Sequence, residues 1–215
     1  MSADFTKSVV ILIVVIFGVA SLSLLTWVVP NILYDGDLKA KSLAKPLTPI
    51  ELAGRDIYIS EGCHVCHTQM VRPLDPEVRR NGRPNEEADD IYEFPNLWGS
   101  KRTGPDLTNI GRKYSDQWHA IHLINPRQVV PTSIMPAYPW LFEQVLTGDR
   151  ITAKMLTLRT LGVPYSDQDI DNARLQVRGK TKGEALIRYL QSLGVDTSQP
   201  DSATLTHVPR SEGAD

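Results

Sequence analysis

The stretch that most restricts this chain runs from Ser8 to Val29, where every side chain is apolar or small and no charge stands between Lys7 and Asp35. About 20 residues at roughly 1.5 Å rise cross a hydrocarbon layer of about 30 Å, so the run predicts one spanning helix. The apolar part of a cleaved leader is shorter, about 7 to 15 residues, which favours an anchor over residues 1–34. Trp27 and Tyr34 suit the lipid-water boundary, where a ring can be apolar on one side and wet on the other.

The remainder of the 215 residues is enough for one ordinary domain, and a formal net charge of -2 excludes the basic footprint of a nucleic-acid binder. Residues 35–47 read as a lysine-rich linker. The domain, 48–195, opens with Thr48-Pro49-Ile50-Glu51, an N-cap hydroxyl, a first-turn proline and a capping-box glutamate, and its first helix should reach about Glu61, stopped by Gly62. Residues 72–97, with four prolines and the acidic cluster Glu86, Glu87, Asp89 and Asp90, read as a long surface excursion with a solvated charged face. Ser115 caps a second helix that Asn125-Pro126 ends. Further helices are expected around Thr152 to Leu161, after Ser166, and over GEALIRYLQSLG, ended by Gly194, with a polar, flexible tail over 196–215.

Only two cysteines occur, both within Cys63-His64-Val65-Cys66-His67. The spacing C-x-x-C-H suits a covalent c-type haem: one turn presents two thiols to the two vinyl groups of a porphyrin edge, and the next residue brings an imidazole to the iron. Cys63 and Cys66 are thus the thioether residues and His67 a haem-iron ligand. A thioredoxin-like redox pair would open a helix in a βαβ pattern that is absent, and half a zinc site lacks its second pair of ligands.

The sixth iron ligand should be a thioether or a second imidazole from a distant loop. Met70 is too close in sequence and Met155 falls in a predicted helix. Met135 sits in Pro131-Thr132-Ser133-Ile134-Met135-Pro136, where prolines stiffen an extended segment, and is preferred to His119 and His122. Met/His ligation fills the iron and points to electron transfer rather than catalysis on this chain.

From Thr48 to Gly194 the chain resembles the class I cytochrome c fold, with Gly54 and Tyr189 similar to its helix-crossing pair. The loop Gly104-Pro105-Asp106-Leu107 is similar to the one whose proline carbonyl accepts from the ligand imidazole. Gly62 to Pro73, Trp98 to Leu107 and Tyr114 to Trp140, together with the anchor, resemble more narrowly the membrane-anchored mono-haem subunits of cbb3-type cytochrome c oxidases, the CcoO/FixO type. The excursion from Arg79 to Leu97 departs from that family's usual wording.

The resemblance implies a mostly α fold, a single N-terminal transmembrane helix followed by a class I cytochrome c-like domain with long loop insertions. It implies a haem-copper catalytic subunit and a di-haem cytochrome c subunit as partners in aerobic respiration. It also implies a calcium ion at the interface with the catalytic subunit, for which Gly99 and Ser100 are candidate ligands. Lys101, Arg102 and Arg112 are candidate partners for the haem propionates. A mono-haem subunit of a membrane nitric oxide reductase and a free-standing anchored cytochrome c are the alternatives.

Placing the domain on the periplasmic side of a bacterial inner membrane conflicts with the lysine count, since Lys39, Lys41 and Lys45 follow the anchor and only Lys7 precedes it. Long domains translocate largely regardless of nearby charge, and haem is attached to c-type cytochromes after export.

Overall fold

The computed structural model describes residues 3–33, 44–99 and 101–194. Tyr34, most of the predicted linker, Ser100 and the predicted tail lie outside the described residues.

Helix α1, Ala3–Ser23, continues through a π-helical stretch, Leu24–Val28, so that the apolar segment Thr6–Leu33 is 28 residues long, with no part of its most apolar window buried. At about 1.5 Å per residue it exceeds a hydrocarbon core of about 30 Å. The π-helical stretch holds Thr26, whose hydroxyl donates to the Leu22 carbonyl (2.9 Å) instead of to solvent, a bond that lets a polar side chain lie in lipid.

The domain is built on two capped helices that cross. In α2, Pro49–Ser60, the Thr48 N–H donates to Glu51 Oε2 (2.7 Å), closing the predicted capping box. Four short elements follow in the chain: α3 (Cys63–Cys66), α4 (Asp75–Asn81), α5 (Asp116–Ile124) and α6 (Ile151–Thr160). Ser166 caps α7, Asp167–Val177, and Thr181 with Glu184 caps α8, Lys182–Ser192. Helices α2 and α8 touch at Gly54: a Cβ there would stand 2.0 Å from the Ala185 carbonyl oxygen and 2.8 Å from Tyr189 Cβ, so no other residue permits this approach. Around the crossing lie Leu52, Ile57, Leu141, Met155, Ala173 and Leu186, all buried. Each large side chain among them contributes about 1.5 to 3 kcal/mol of burial. Among the described residues there is no strand, only an isolated bridge between Val145 and Thr181.

The excursion over 72–97 differs from the solvated face expected of it. It contains α4 and a 3-10 turn, Glu87–Asp90, and it is fastened to the core by a buried cation. Arg55, on α2 and only 2% exposed, donates through Nε to Glu93 (3.0 Å), through Nη1 to the Phe94 carbonyl (3.1 Å), and through Nη2 to the Pro95 carbonyl. Asn85 Oδ1 accepts from the Val71 N–H (2.7 Å). Within the acidic cluster, Asp89 pairs with Arg83 (2.6 Å) and Asp90 accepts from the Trp98 indole (2.6 Å). These two carboxylates are structural because each has a fixed donor, and burial pushes Asp90 up to about 6 against the lowering effect of that indole bond.

Candidate haem site

Helix α2 ends at Glu61, and Gly62, at φ 73°, turns the chain into the single turn α3. That turn is closed by bonds from the Val65 N–H to the Gly62 carbonyl (3.0 Å) and from the His67 N–H to the Cys63 carbonyl (2.9 Å). It carries both cysteines as free thiols, Cys63 half-buried and Cys66 exposed. Burial pushes the Cys63 thiol up to about 11, the opposite of the lowered value that a nucleophilic redox pair needs. Among the described residues no three His, Cys, Asp or Glu side chains gather as a metal-holding cluster.

His67 is held at both its ring and its backbone. Its Nδ1 lies 2.8 Å from the Pro105 carbonyl oxygen, which can only accept, so Nδ1 carries the proton and Nε2 keeps the lone pair a metal requires. Burial lowers the imidazole pKa, while the Pro105 bond and the nearby Asp106 carboxylate act the other way. Gly104 is dictated by this contact: a Cβ there would come within 2.3 Å of His67 Cε1. Backbone bonds from Gly104 N–H to the Cys66 carbonyl and from Leu107 N–H to the Thr68 carbonyl, each 2.9 Å, zip the two loops together on either side of the ring. From the core, the Tyr58 hydroxyl donates to the His67 carbonyl (3.1 Å), and burial pushes that phenol's pKa up, which keeps it a donor. The helix crossing thereby reaches the ligand turn, since the Tyr58 and Tyr189 rings are 5.5 Å apart and Gln69 donates to the Tyr189 hydroxyl (3.0 Å).

Met135 is half-buried against the edge of the core on an arm with few bonds. Its N–H donates to Ser133 Oγ (3.2 Å), and three residues later the Tyr138 N–H donates to the Leu123 carbonyl at the end of α5 (2.8 Å). The arm returns to the cysteine turn: Trp140 Nε1 donates to Glu61 Oε2 (3.3 Å). Burial raises the pKa of the Tyr138 phenol, and the charges of Cys63 and Cys66 act in the same direction.

The other candidates divide. Arg102 turns inward: Nε donates to Thr68 Oγ1 (2.7 Å), and Nη2 reaches the Met70 carbonyl (2.6 Å), Glu77 Oε2 (2.8 Å) and Asp106 Oδ2 (3.3 Å). Two carboxylates neutralise it, and its bonds brace Thr68, Met70 and Glu77 around Asp106. Arg112, at φ 61°, lies against the end of α8, its N–H donating to Gln191 Oε1 (2.7 Å). Gly99 is exposed, with the Thr68 methyl 3.6 Å from where its Cβ would be; its companion Ser100 is among the undescribed residues. His119 is buried in α5, and His122 stacks on Trp118 at 4.7 Å, Trp118 in turn stacking on Tyr114 at 4.0 Å. Burial lowers the pKa of both histidines, and the charge of His67 acts the same way on His122.

The residues present fit a c-type haem. Two free thiols and an imidazole with a fixed tautomer lie together at one turn, and Gly104 leaves the His67 ring its space. Among protein families, the one described as cytochrome c oxidase, mono-heme subunit/FixO matches residues 2–186. The chain belongs to this family. A FixO-family chain is a mono-haem subunit of a cytochrome c oxidase, an oxidoreductase complex, and one apolar helix suited to crossing a membrane accords with that. Comparison with curated proteins gives no match.

Sequence reasoning missed Tyr58, Glu77 and Tyr138. Tyr58 had a signal, lying one helical turn after the crossing glycine Gly54 and hence on the same face. Glu77 had none, because its Arg102 partner lies 25 residues away and its Arg72 partner, five residues before it, falls on no helical spacing, and Tyr138 had none because its Leu123 partner is distant in sequence.

Proposed function

We propose that this chain is the electron-transferring subunit of a cbb3-type oxidase, anchored in a bacterial inner membrane with its haem domain on the periplasmic side. The observation that carries the reading is the His67 ring, fixed by Pro105 with Nε2 as the available lone pair, directly after two free thiols in a FixO-family chain. Cys63 and Cys66 would hold a haem c by thioether bonds, and His67 and Met135 would ligate its iron. A haem held there supplies a one-electron ferric/ferrous couple. With both iron ligands supplied by the protein, the haem would serve electron transfer, and this chain would pass electrons from a donor cytochrome to the haem-copper catalytic subunit that reduces dioxygen. A di-haem cytochrome c subunit completes the assembly, and Gly99 and Ser100 are the residues proposed to bind a calcium ion at the interface with the catalytic subunit.

Purification in mild detergent tests the reading. Co-elution with a copper-containing, oxygen-reducing subunit, in a complex whose haem inventory includes one covalent haem on this chain, is the expected result. A stable lone cytochrome, or a partner without copper, contradicts it.

A further inference from the structure

Behind the ligand turn lies a buried charge network whose centre is Asp106. Its side chain has no exposed surface. Oδ2 accepts from Thr68 Oγ1 (2.5 Å), from the Met70 N–H (3.0 Å) and from Arg102 (3.3 Å), and Oδ1 accepts from the Thr108 N–H (2.9 Å). Arg102 is itself held by Glu77, which also accepts from the Arg72 side chain (2.5 Å) and backbone N–H (3.0 Å). Such a cluster is expensive to bury unless each charge is paired, and here each is.

Its placement is informative. Asp106 directly follows Pro105, whose carbonyl receives the His67 proton, while Thr68 directly follows His67. The Thr68 to Asp106 bond therefore joins the two ends of the His67 to Pro105 hydrogen bond one residue further along each strand of chain. We propose that Asp106, braced by Arg102, is a positioning residue that sets the length of the His67 to Pro105 hydrogen bond and through it the electron-donating strength of Nε2. This rests on the proposed haem ligation by His67. A short bond at Nδ1 makes the imidazole more basic and favours the ferric state, so slackening the clamp raises the reduction potential.

The test uses the full chain in the assembled complex, with covalent haem content, reduction potential and exchange of the His67 Nδ1 proton measured together. Thr68→Val removes one donor of the clamp without changing any charge. The expected result is wild-type haem content, a raised potential and roughly fivefold faster proton exchange, on the scale of one lost net hydrogen bond. Thr68→Ser should restore both readings. If Thr68→Val does not mature, Arg102→Lys, which keeps the charge but loses the planar fork, is read in the same way. Unchanged potential and exchange in a variant that retains haem overturns the proposal. Wild-type chain without covalent haem overturns the ligation it rests on, a separate outcome visible before any variant is made.

Discussion

The two segments that supply the proposed iron ligands are held in different ways. His67 is fixed at its ring by Pro105, at its carbonyl by Tyr58, and on both flanks by backbone bonds and the Asp106 network. Met135 has a single hydroxyl acceptor for its own N–H and depends on flanking prolines and the distant Tyr138 and Trp140 bonds. The difference teaches that the protein's own bonds fix the imidazole at its ring and its backbone. The Met135 segment is a stiff arm docked at two points.

The largest break in this contrast should come from Gly104→Ala. The added Cβ meets the imidazole at 2.3 Å, so the ring or the 104–107 loop must move, and covalent haem should be lost or reduced more than tenfold on a haem-stained denaturing gel. Full haem content would mean the loop is softer than its bonds imply.

The imidazole side should also respond to acid. Arg102 first, then Arg72, hold the Glu77 carboxyl at about 2, below its ordinary 4.5. A depressed carboxylate stabilises the fold above its unfolded value, and that contribution disappears as pH falls from about 4.5 towards 2. Thermal unfolding followed over that window should show a falling midpoint, with a shallower slope in Glu77→Gln.

The Met135 arm should respond more mildly. Pro136→Ala enlarges the unfolded freedom of the arm by about 0.4 to 1 kcal/mol, so imidazole added to the ferric protein should displace the native sixth ligand roughly two- to fivefold more readily. A titration with no change would show that the prolines do not restrain the arm.

The smallest effect belongs to Asp90, outside both halves. Its carboxyl is raised to about 6, so the fold is favoured below the ordinary value of 3.8 and loses that contribution as pH rises through about 6. Asp90→Asn keeps an acceptor for the Trp98 indole and should flatten the stability profile between pH 4 and 6.

What the sequence made legible was local. Thr48, Ser115 and Ser166 cap helices because a cap and its partner lie within four residues, and the Cys63 to His67 motif is contiguous. The inward network of Arg102 and the fastening of the excursion were not legible for the converse reason. Arg102 meets Thr68 and Glu77 across 34 and 25 residues, and Arg55 meets Glu93 across 38. Ion pairs of that separation leave no period or spacing behind, so a buried arginine looks like a surface one until the chain is folded.

The central claim, a haem iron closed by His67 and Met135, is tested most directly by the near-infrared spectrum of the oxidised complex, wild type beside Met135→His. The account predicts a weak methionine-iron band in the wild type that vanishes in the variant while covalent haem persists and the potential falls. A band that survives the substitution would contradict it.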